Sequence, residues 1–286
     1  MKHVLFVGNR INVFKVLIEY SDIFSLAAVY VLKDSPLHKF LKENKESNYE
    51  VFTDDMSGKT FITTAIKKIK FDIFISNGCP FVLRISELRL HSPEAIFINI
   101  HPTYLPHLKG KRPLNGVFML GYDFLGATVH FMDDGVDSGH IIYQEKVPIG
   151  SDIDQGLIYY ISFDLEGIVF RKALDILVSN NFNISGEVQT SNGSFYSRHK
   201  GDKRIDFLGD NSSLICKKIN SVGLVTQGIE VRLNDGSCYK VHAALVISNE
   251  YLLKKFSLSR PGDFLHNYSD KILVKTIDGI VKLSYV

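Results

Sequence analysis

The chain has no tryptophan and only three cysteines among its 286 residues. Cys79, Cys216 and Cys238 lie far apart, so they form neither a disulfide framework nor a Cys-x-x-Cys metal pair. The simplest reading is free thiols in a reducing cytoplasm, with no metal expected. No apolar run approaches the ~18 residues needed to span a bilayer, so no membrane partner is expected. The opening MKHVLFVGNR has too short an apolar stretch, and no small-residue cleavage site, for a secretory signal; it reads as a first strand. Net charge is small too. Lys and Arg number 33 and Asp and Glu 31, giving +2. That argues against a protein coated in basic residues for nucleic acid, while leaving room for a local patch. GxGxxG, Walker A and GxSxG are all missing, which disfavours a standard dinucleotide site, a P-loop and a serine nucleophile. There is no internal repeat or low-complexity tract.

What is present is ordinary for a soluble globular protein: 45% hydrophobic and 22% charged residues, in a length that suggests about two domains. The first half alternates short apolar runs with helical spacing. Strands are expected at residues 4–7, 26–32, 49–53, 71–75 and 95–100, with helices at 11–20 and 59–70. Continuous apolar strands alternating with helices imply a mostly parallel sheet covered on both faces, an α/β, Rossmann-like arrangement. Residues 125–132 alternate, and 140–149 read as their hairpin partner; 152–179 is the longest helical pattern. A polar, glycine-bearing stretch at 181–208 reads as a linker. Beyond it, short strands at 228–233, 237–247, 271–276 and 280–285, separated by NDG, PGD and DG turns, suggest a small barrel or sandwich with a helix near 212–220. The expected division is a catalytic domain at 1–180, the linker, and a β-rich, OB-like domain at 209–286.

In an open parallel sheet, ligands bind beyond the carboxyl ends of the strands. The segments there are Gly8-Asn9-Arg10, Ser76-Asn77-Gly78, Asn99-Ile100-His101 and an aspartate-rich loop, MDDGVDSG. Asn99 and His101 are two apart, so on a strand their side chains share a face. Taken singly, an Asn at a strand end is commonly a turn former, a His commonly a structural or surface residue, and Asp137 a turn residue. Together, at ends of strands that border one crevice, they suggest acyl transfer. The imidazole would take a proton from an attacking amine, the amide would hold an oxyanion, and the carboxylate would orient the imidazole. With no nucleophile motif, direct transfer is favoured over an acyl-enzyme.

Two stretches, FINIHPTYLPHLKGKRPLNGVFMLG and GATVHFMDDGVDSGHIIYQEKVPI, resemble the core of the 10-formyltetrahydrofolate-dependent formyltransferases. That family carries Asn-x-His, with the His opening the pattern H-x-S-L-L-P-x-x-x-G, and then an Asp in D-x-G-x-D-x-G. Its catalytic Asn, His and Asp match Asn99, His101 and Asp137. The resemblance is strongest over residues 71–150. It departs at Thr103, where Ser is usual, at Tyr104 for Leu and at Lys109 for Arg. It implies that the donor, 10-formyltetrahydrofolate, lies against Ser76, Gly78, Phe81, Val82, Leu83, Asp133 and Gly135, although Phe81 and Leu83 could equally face the core. The acceptor would approach over Asn9, Arg10, Tyr104, Lys109 and Gly110. The C-terminal PGDFLHNYSDKILVKTIDGIVKL resembles the last domain of methionyl-tRNA formyltransferases and of some nucleotide-sugar formyltransferases.

The favoured acceptor is therefore the amine of a nucleotide-linked amino-deoxy sugar, in surface polysaccharide (lipopolysaccharide) biosynthesis, with nucleic acid disfavoured and a homodimer left open. The alternative is methionyl-tRNA. Residues 201–286 hold twelve Lys and Arg against nine Asp and Glu, a net of +3, a weak footprint for neutralising several phosphates. A glycinamide ribonucleotide enzyme would lack the extra C-terminal domain, and a cofactor deacylase would carry an N-terminal regulatory domain. A module that only binds folate or nucleotide is disfavoured by the retention of all three polar groups. Without tryptophan, any base stacking falls to Tyr, Phe or Arg.

Overall fold

A computed structural model of the chain describes residues 1–44, 49–54, 68–79, 81–190 and 193–286. The chain divides into two compact units: residues 1–110, 125–147 and 161–195 in the first; 111–124, 148–160 and 196–286 in the second.

A seven-stranded sheet is built from β1 (Lys2–Gly8), β2 (Phe24–Leu32), β3 (Glu50–Asp54), β4 (Ile73–Asn77), β5 (Ile96–His101), β6 (Phe124–Phe131) and β7 (Ile141–Pro148), in the order β3-β2-β1-β4-β5-β6-β7. The first five are parallel, and β6 runs antiparallel to β5. The order reverses at β1, so the ends of β1 and β4 form a switch point of the kind at which open α/β sheets bind ligands.

The strands are apolar on both faces because both are covered. Val4, Phe6, Ile73, Ile75, Ile98 and Ile100 face one cluster, with residues of α1 (Ile11–Glu19) and the long helix at Gln155–Ser179. Leu5, Val7, Phe74 and Phe97 face a second. Helix α1 buries Val13, Phe14, Val16 and Leu17, the i, i+3, i+4 stripe that the sequence shows.

Helix α2 (Pro36–Glu43) was not expected. Its signals are nonetheless local: Ser35 Oγ accepts the His38 N–H at 3.2 Å, and Pro36 occupies the first turn. A short α3 (Ile85–Arg89) and α4 (Pro113–Leu120) were also unassigned. The helix expected at 59–70 lies, up to position 67, outside the described residues. The long helix, α5, keeps its expected end at Ser179.

In the second unit, α4 and α6 (Ser212–Ser221) lie together, with Asn115 Nδ2 donating to the Ser221 carbonyl. An antiparallel sheet of β8 (Ile229–Arg232), β9 (Cys238–Val246), β10 (Phe264–Tyr268), β11 (Lys271–Lys275) and β12 (Ile280–Tyr285) has the order β10-β11-β12-β9-β8. Strand β10 and helix α7 (Glu250–Lys255) add to the elements expected there. Ile215 and Ile219 of α6 pack with Val231, Val241, Ile272, Val274 and Leu283. Fold class thus agrees with the sequence reading: a Rossmann-like, mostly parallel sheet and a separate β-rich C-terminal part.

Phe6 is fully buried and meets Phe14 edge-to-face at 5.4 Å. Phe6→Ala is expected to destabilise the protein by roughly 3–5 kcal/mol, read from the urea unfolding midpoint. A loss under about 1 kcal/mol would contradict this packing.

Candidate active site

Strand β5 ends by turning two polar side chains to the face of the sheet that carries Phe97. Successive residues alternate, so Ile96, Ile98 and Ile100 point to the opposite core while Asn99 and His101 share Phe97's side. The antiparallel register sets Asn99 opposite His130 and His101 opposite Thr128. Cross-strand neighbours touch, and Asn99 Nδ2 lies 3.1 Å from His130 Nε2.

Asp137 reaches the same point from the loop after β6. Its Oδ1 is 3.4 Å from Asn99 Nδ2, 3.5 Å from His101 Nδ1 and 3.8 Å from His130 Nε2. Its Oδ2 accepts the Gly110 N–H at 2.9 Å. Asp137 has φ 51°, in the left-handed region that costs a residue with a Cβ. The loop's glycines are required by space: a Cβ on Gly139 would sit 1.8 Å from the Phe131 carbonyl oxygen, and one on Gly135 would sit 2.0 Å from Ser138 Oγ. This is the steric reason for Asp-Gly-x-Asp-x-Gly at this place. Asp133 closes the loop, accepting from Ser138 Oγ at 2.6 Å and from the Gly135 N–H at 3.1 Å.

The tautomers follow from the partners. His101 Nε2 lies 2.9 Å from the Leu108 carbonyl, which can only accept, so Nε2 carries a hydrogen, and Nδ1 is the nitrogen that faces Asp137. His130 Nδ1 lies 2.7 Å from the Phe131 carbonyl, so Nδ1 carries its hydrogen and Nε2 accepts from the Asn99 amide. Burial holds the His130 imidazole below its ordinary range, chiefly by denying its cation water; the nearby Asp137 charge opposes this without reversing it. Asn99 thus has one N–H committed to His130 and a second, long contact toward Asp137, which leaves a donor that can be redirected.

The segment after His101 is tightly held. Thr128 Oγ1 donates to the Thr103 carbonyl at 2.7 Å and accepts the Leu105 N–H at 3.0 Å; Thr103 Oγ1 donates to the His107 carbonyl at 2.9 Å. Thr103, like the serine usual there, supplies a hydroxyl to the turn. Lys109 pairs with Phe195 through its backbone. Tyr104 turns toward β6 and β7, where Lys146 Nζ lies 5.1 Å from its ring centre.

At the switch point, Asn9 spends its amide on architecture: Oδ1 accepts the Leu32 N–H at 2.8 Å, and Nδ2 donates to the Gly78 carbonyl at 3.0 Å. Gly78 has φ 69°, and a Cβ there would meet Arg10 Nε at 3.2 Å. Arg10 pairs through Nη1 with Glu166 Oε1, and its guanidinium lies 4.1 Å from the Phe163 ring centre. Glu166 is fully buried; desolvation pushes its carboxyl up and the Arg10 guanidinium pulls it back. Asn77 Oδ1 is buried with no hydrogen-bond partner among the described residues.

Among the residues expected at the donor, Ser76 is buried opposite Asn99 on β4, and Phe81 packs partly against the second core. Val82 is 61% exposed, while Leu83 is a core residue at 5%. Beside them, burial pushes the Cys79 thiol up to about 11, which disfavours its thiolate. Among the described residues, no group of three or more His, Cys, Asp or Glu could hold a metal ion.

His130, Glu166 and Gln189 lie outside the segments that the sequence marks as candidate site. Only His130 had a readable signal: it lies seven residues before Asp137 on the strand expected at 125–132.

An amide and an imidazole at the end of β5, met by a carboxylate from the loop after β6, are groups of the kind that direct acyl transfer uses. The family model described as formyl transferase matches residues 27–174, just over half of the chain, and the chain belongs to that family. Methionyl-tRNA formyltransferase of Alkaliphilus oremlandii is 25% identical over 271 residues, spanning 91% of this chain and 83% of the relative. An N-formyltransferase from Helicobacter canadensis, solved with folinic acid and dTDP-3-aminofucose, superposes with a TM-score of 0.71 at 18% identity, over 100% of this chain and 99% of that one. A 4-N formyltransferase from Francisella tularensis gives 0.65 at 20% identity, over 83% and 95%. These likenesses show a common fold.

The state of His130 makes stability depend on pH. Its folded-state value lies below the ordinary 6.5, so as pH falls through that value the unfolded chain binds a proton that the folded chain refuses. Unfolding free energy is expected to fall with pH below about 6.5, and His130→Gln to flatten that slope by up to one proton. Urea titrations across pH 5 to 8 provide the check; equal slopes would show that His130 takes up its proton in the fold as readily as in the unfolded chain.

Proposed function

We propose that the chain transfers a formyl group from 10-formyltetrahydrofolate to the amine of a nucleotide-linked amino-deoxy sugar, in the cytoplasm, in surface polysaccharide (lipopolysaccharide) biosynthesis. The observation that carries this is the meeting of Asn99 and His101 nitrogens on one Asp137 oxygen, at 3.4 and 3.5 Å. The donor supplies an activated formyl carbon. The likeness to a structure holding folinic acid and dTDP-3-aminofucose supports both substrates.

An ammonium has no lone pair, so the acceptor amine attacks uncharged. As its nitrogen bonds to the formyl carbon, His101 Nδ1 takes the proton that nitrogen loses. Asp137, against the same atom, attracts the imidazolium. The redirected Asn99 N–H holds the developing oxyanion, a donor worth roughly 2.7–4 kcal/mol in comparable sites. The carbon–nitrogen bond to the donor then breaks, and His101 returns the proton to the departing nitrogen.

Phe81, Val82 and the backbone at Gly78 and Asp133–Gly135 are the proposed donor contacts, and Arg10, Tyr104, Lys109 and Gly110 the acceptor contacts. The chemistry falls within the proposed catalytic domain, residues 1–180, and the region from 209 carries none of the three groups. Methionyl-tRNA as acceptor is the second reading, favoured by the relative that spans 91% of the chain and disfavoured by the +3 balance over residues 201–286.

In single-turnover assays with both substrates saturating, His101→Asn is expected to slow the chemical step far more than it weakens binding. Asn99→Ala should cost about a hundredfold or more. An unchanged rate in His101→Asn would reject it as the base. The acceptor is tested by incubating the protein with donor, a panel of nucleotide amino-sugars and methionyl-tRNA, then identifying the product by mass. Formylation of methionyl-tRNA alone would overturn the sugar assignment.

A further inference from the structure

The stretch read from sequence as a linker does more than cross the surface. Glu187 exchanges two backbone hydrogen bonds with Ile141, at 2.7 and 2.8 Å, anchoring the chain beside the start of β7. Two residues later Gln189 Nε2 donates to the carbonyls of Asp137, at 2.9 Å, and Gly139, at 2.7 Å. A primary amide has two N–H groups, and both are used on the loop that carries Asp137. The orientation is forced: with the amide turned over, its oxygen would face two carbonyl oxygens. Held this way, Gln189 Oε1 is buried and has no hydrogen-bond partner among the described residues, so both of the side chain's bonds in the structure go to the Asp137 loop. Asp137 needs such a constraint. Its φ of 51° is unfavourable for an aspartate, and its carboxylate must stay within reach of two nitrogens.

Farther along, Ser194 Oγ accepts the Leu108 N–H at 2.8 Å and its carbonyl accepts the Lys109 N–H at 2.9 Å. Leu108 supplies the carbonyl that sets the His101 tautomer. One segment therefore grips the backbone on both sides of the imidazole–carboxylate pair.

We infer that Gln189 is a positioning residue for the transfer step, acting through Asp137 by holding its backbone in the left-handed conformation. The inference rests on the role proposed above for Asp137. It is tested by a double-mutant cycle in single-turnover formyl transfer, using Gln189→Met, which keeps the side-chain length and removes both donors, Asp137→Asn, and the pair. Gln189→Met is expected to slow the saturated rate by roughly tenfold to a hundredfold while acceptor affinity changes little. In the Asp137→Asn background the same change should have almost no further effect, because the group it positions is gone. Should the methionine variant fail to fold, Gln189→Glu, which also removes the donors, enters the same cycle. A wild-type rate in the Gln189 variant, or a loss that multiplies in full with that of Asp137→Asn, overturns the inference. If Asp137→Asn alone keeps the wild-type rate, the role of Asp137 fails first, and the cycle separates the two failures.

Discussion

Asp137 lies where most of the site's constraints meet. One of its oxygens faces Asn99, His101 and His130, the other accepts a backbone N–H from Gly110, and its own carbonyl accepts from Gln189. A carboxylate withdrawn from water is costly unless donors surround it, so each of these groups has an electrostatic reason to stay in place. The glycines at 135 and 139 serve the same end by letting the loop fold against Ser138 and Phe131.

The second organising feature is the pairing of β5 with β6. Four parallel strands precede β5 in chain order, and the antiparallel return is what sets a histidine opposite Asn99. The two histidines are thereby given opposite tautomers by simple means, each ring donating to one backbone carbonyl. His101 turns Nδ1 toward the carboxylate; His130 turns Nε2 toward the amide. Burial disfavours the charged form of His130, whose Nε2 faces the Asn99 amide.

At the switch point, the buried Arg10–Glu166 pair is a weak argument for stability in itself, since desolvating both ions offsets their attraction. It does fix where the guanidinium stands, against Phe163 and Gly78, and so shapes the opening at the ends of β1 and β4. Asn9, read from sequence as an acceptor contact, has both amide atoms bonded to backbone there, and Leu83, read as a pocket wall, lies in the core.

Much was legible in the sequence by itself. Apolar runs with no alternation required a sheet covered on both faces, the i, i+3, i+4 stripe of α1 required a helix, and the two-residue spacing of Asn99 and His101 put both on one face, because each of these follows from local periodicity. Short helices such as α3 and α7 were not legible, since five or six residues carry too little periodicity. The motif around Asp137 named the loop but not its conformation, which depends on carbonyls and a carboxylate met in space. His130 opposite Asn99, Glu166 under Arg10 and Gln189 on the Asp137 carbonyl join residues 31, 156 and 52 positions apart. Such contacts are decided by sheet register and by the path of the chain after α5, and only the tertiary structure holds that information.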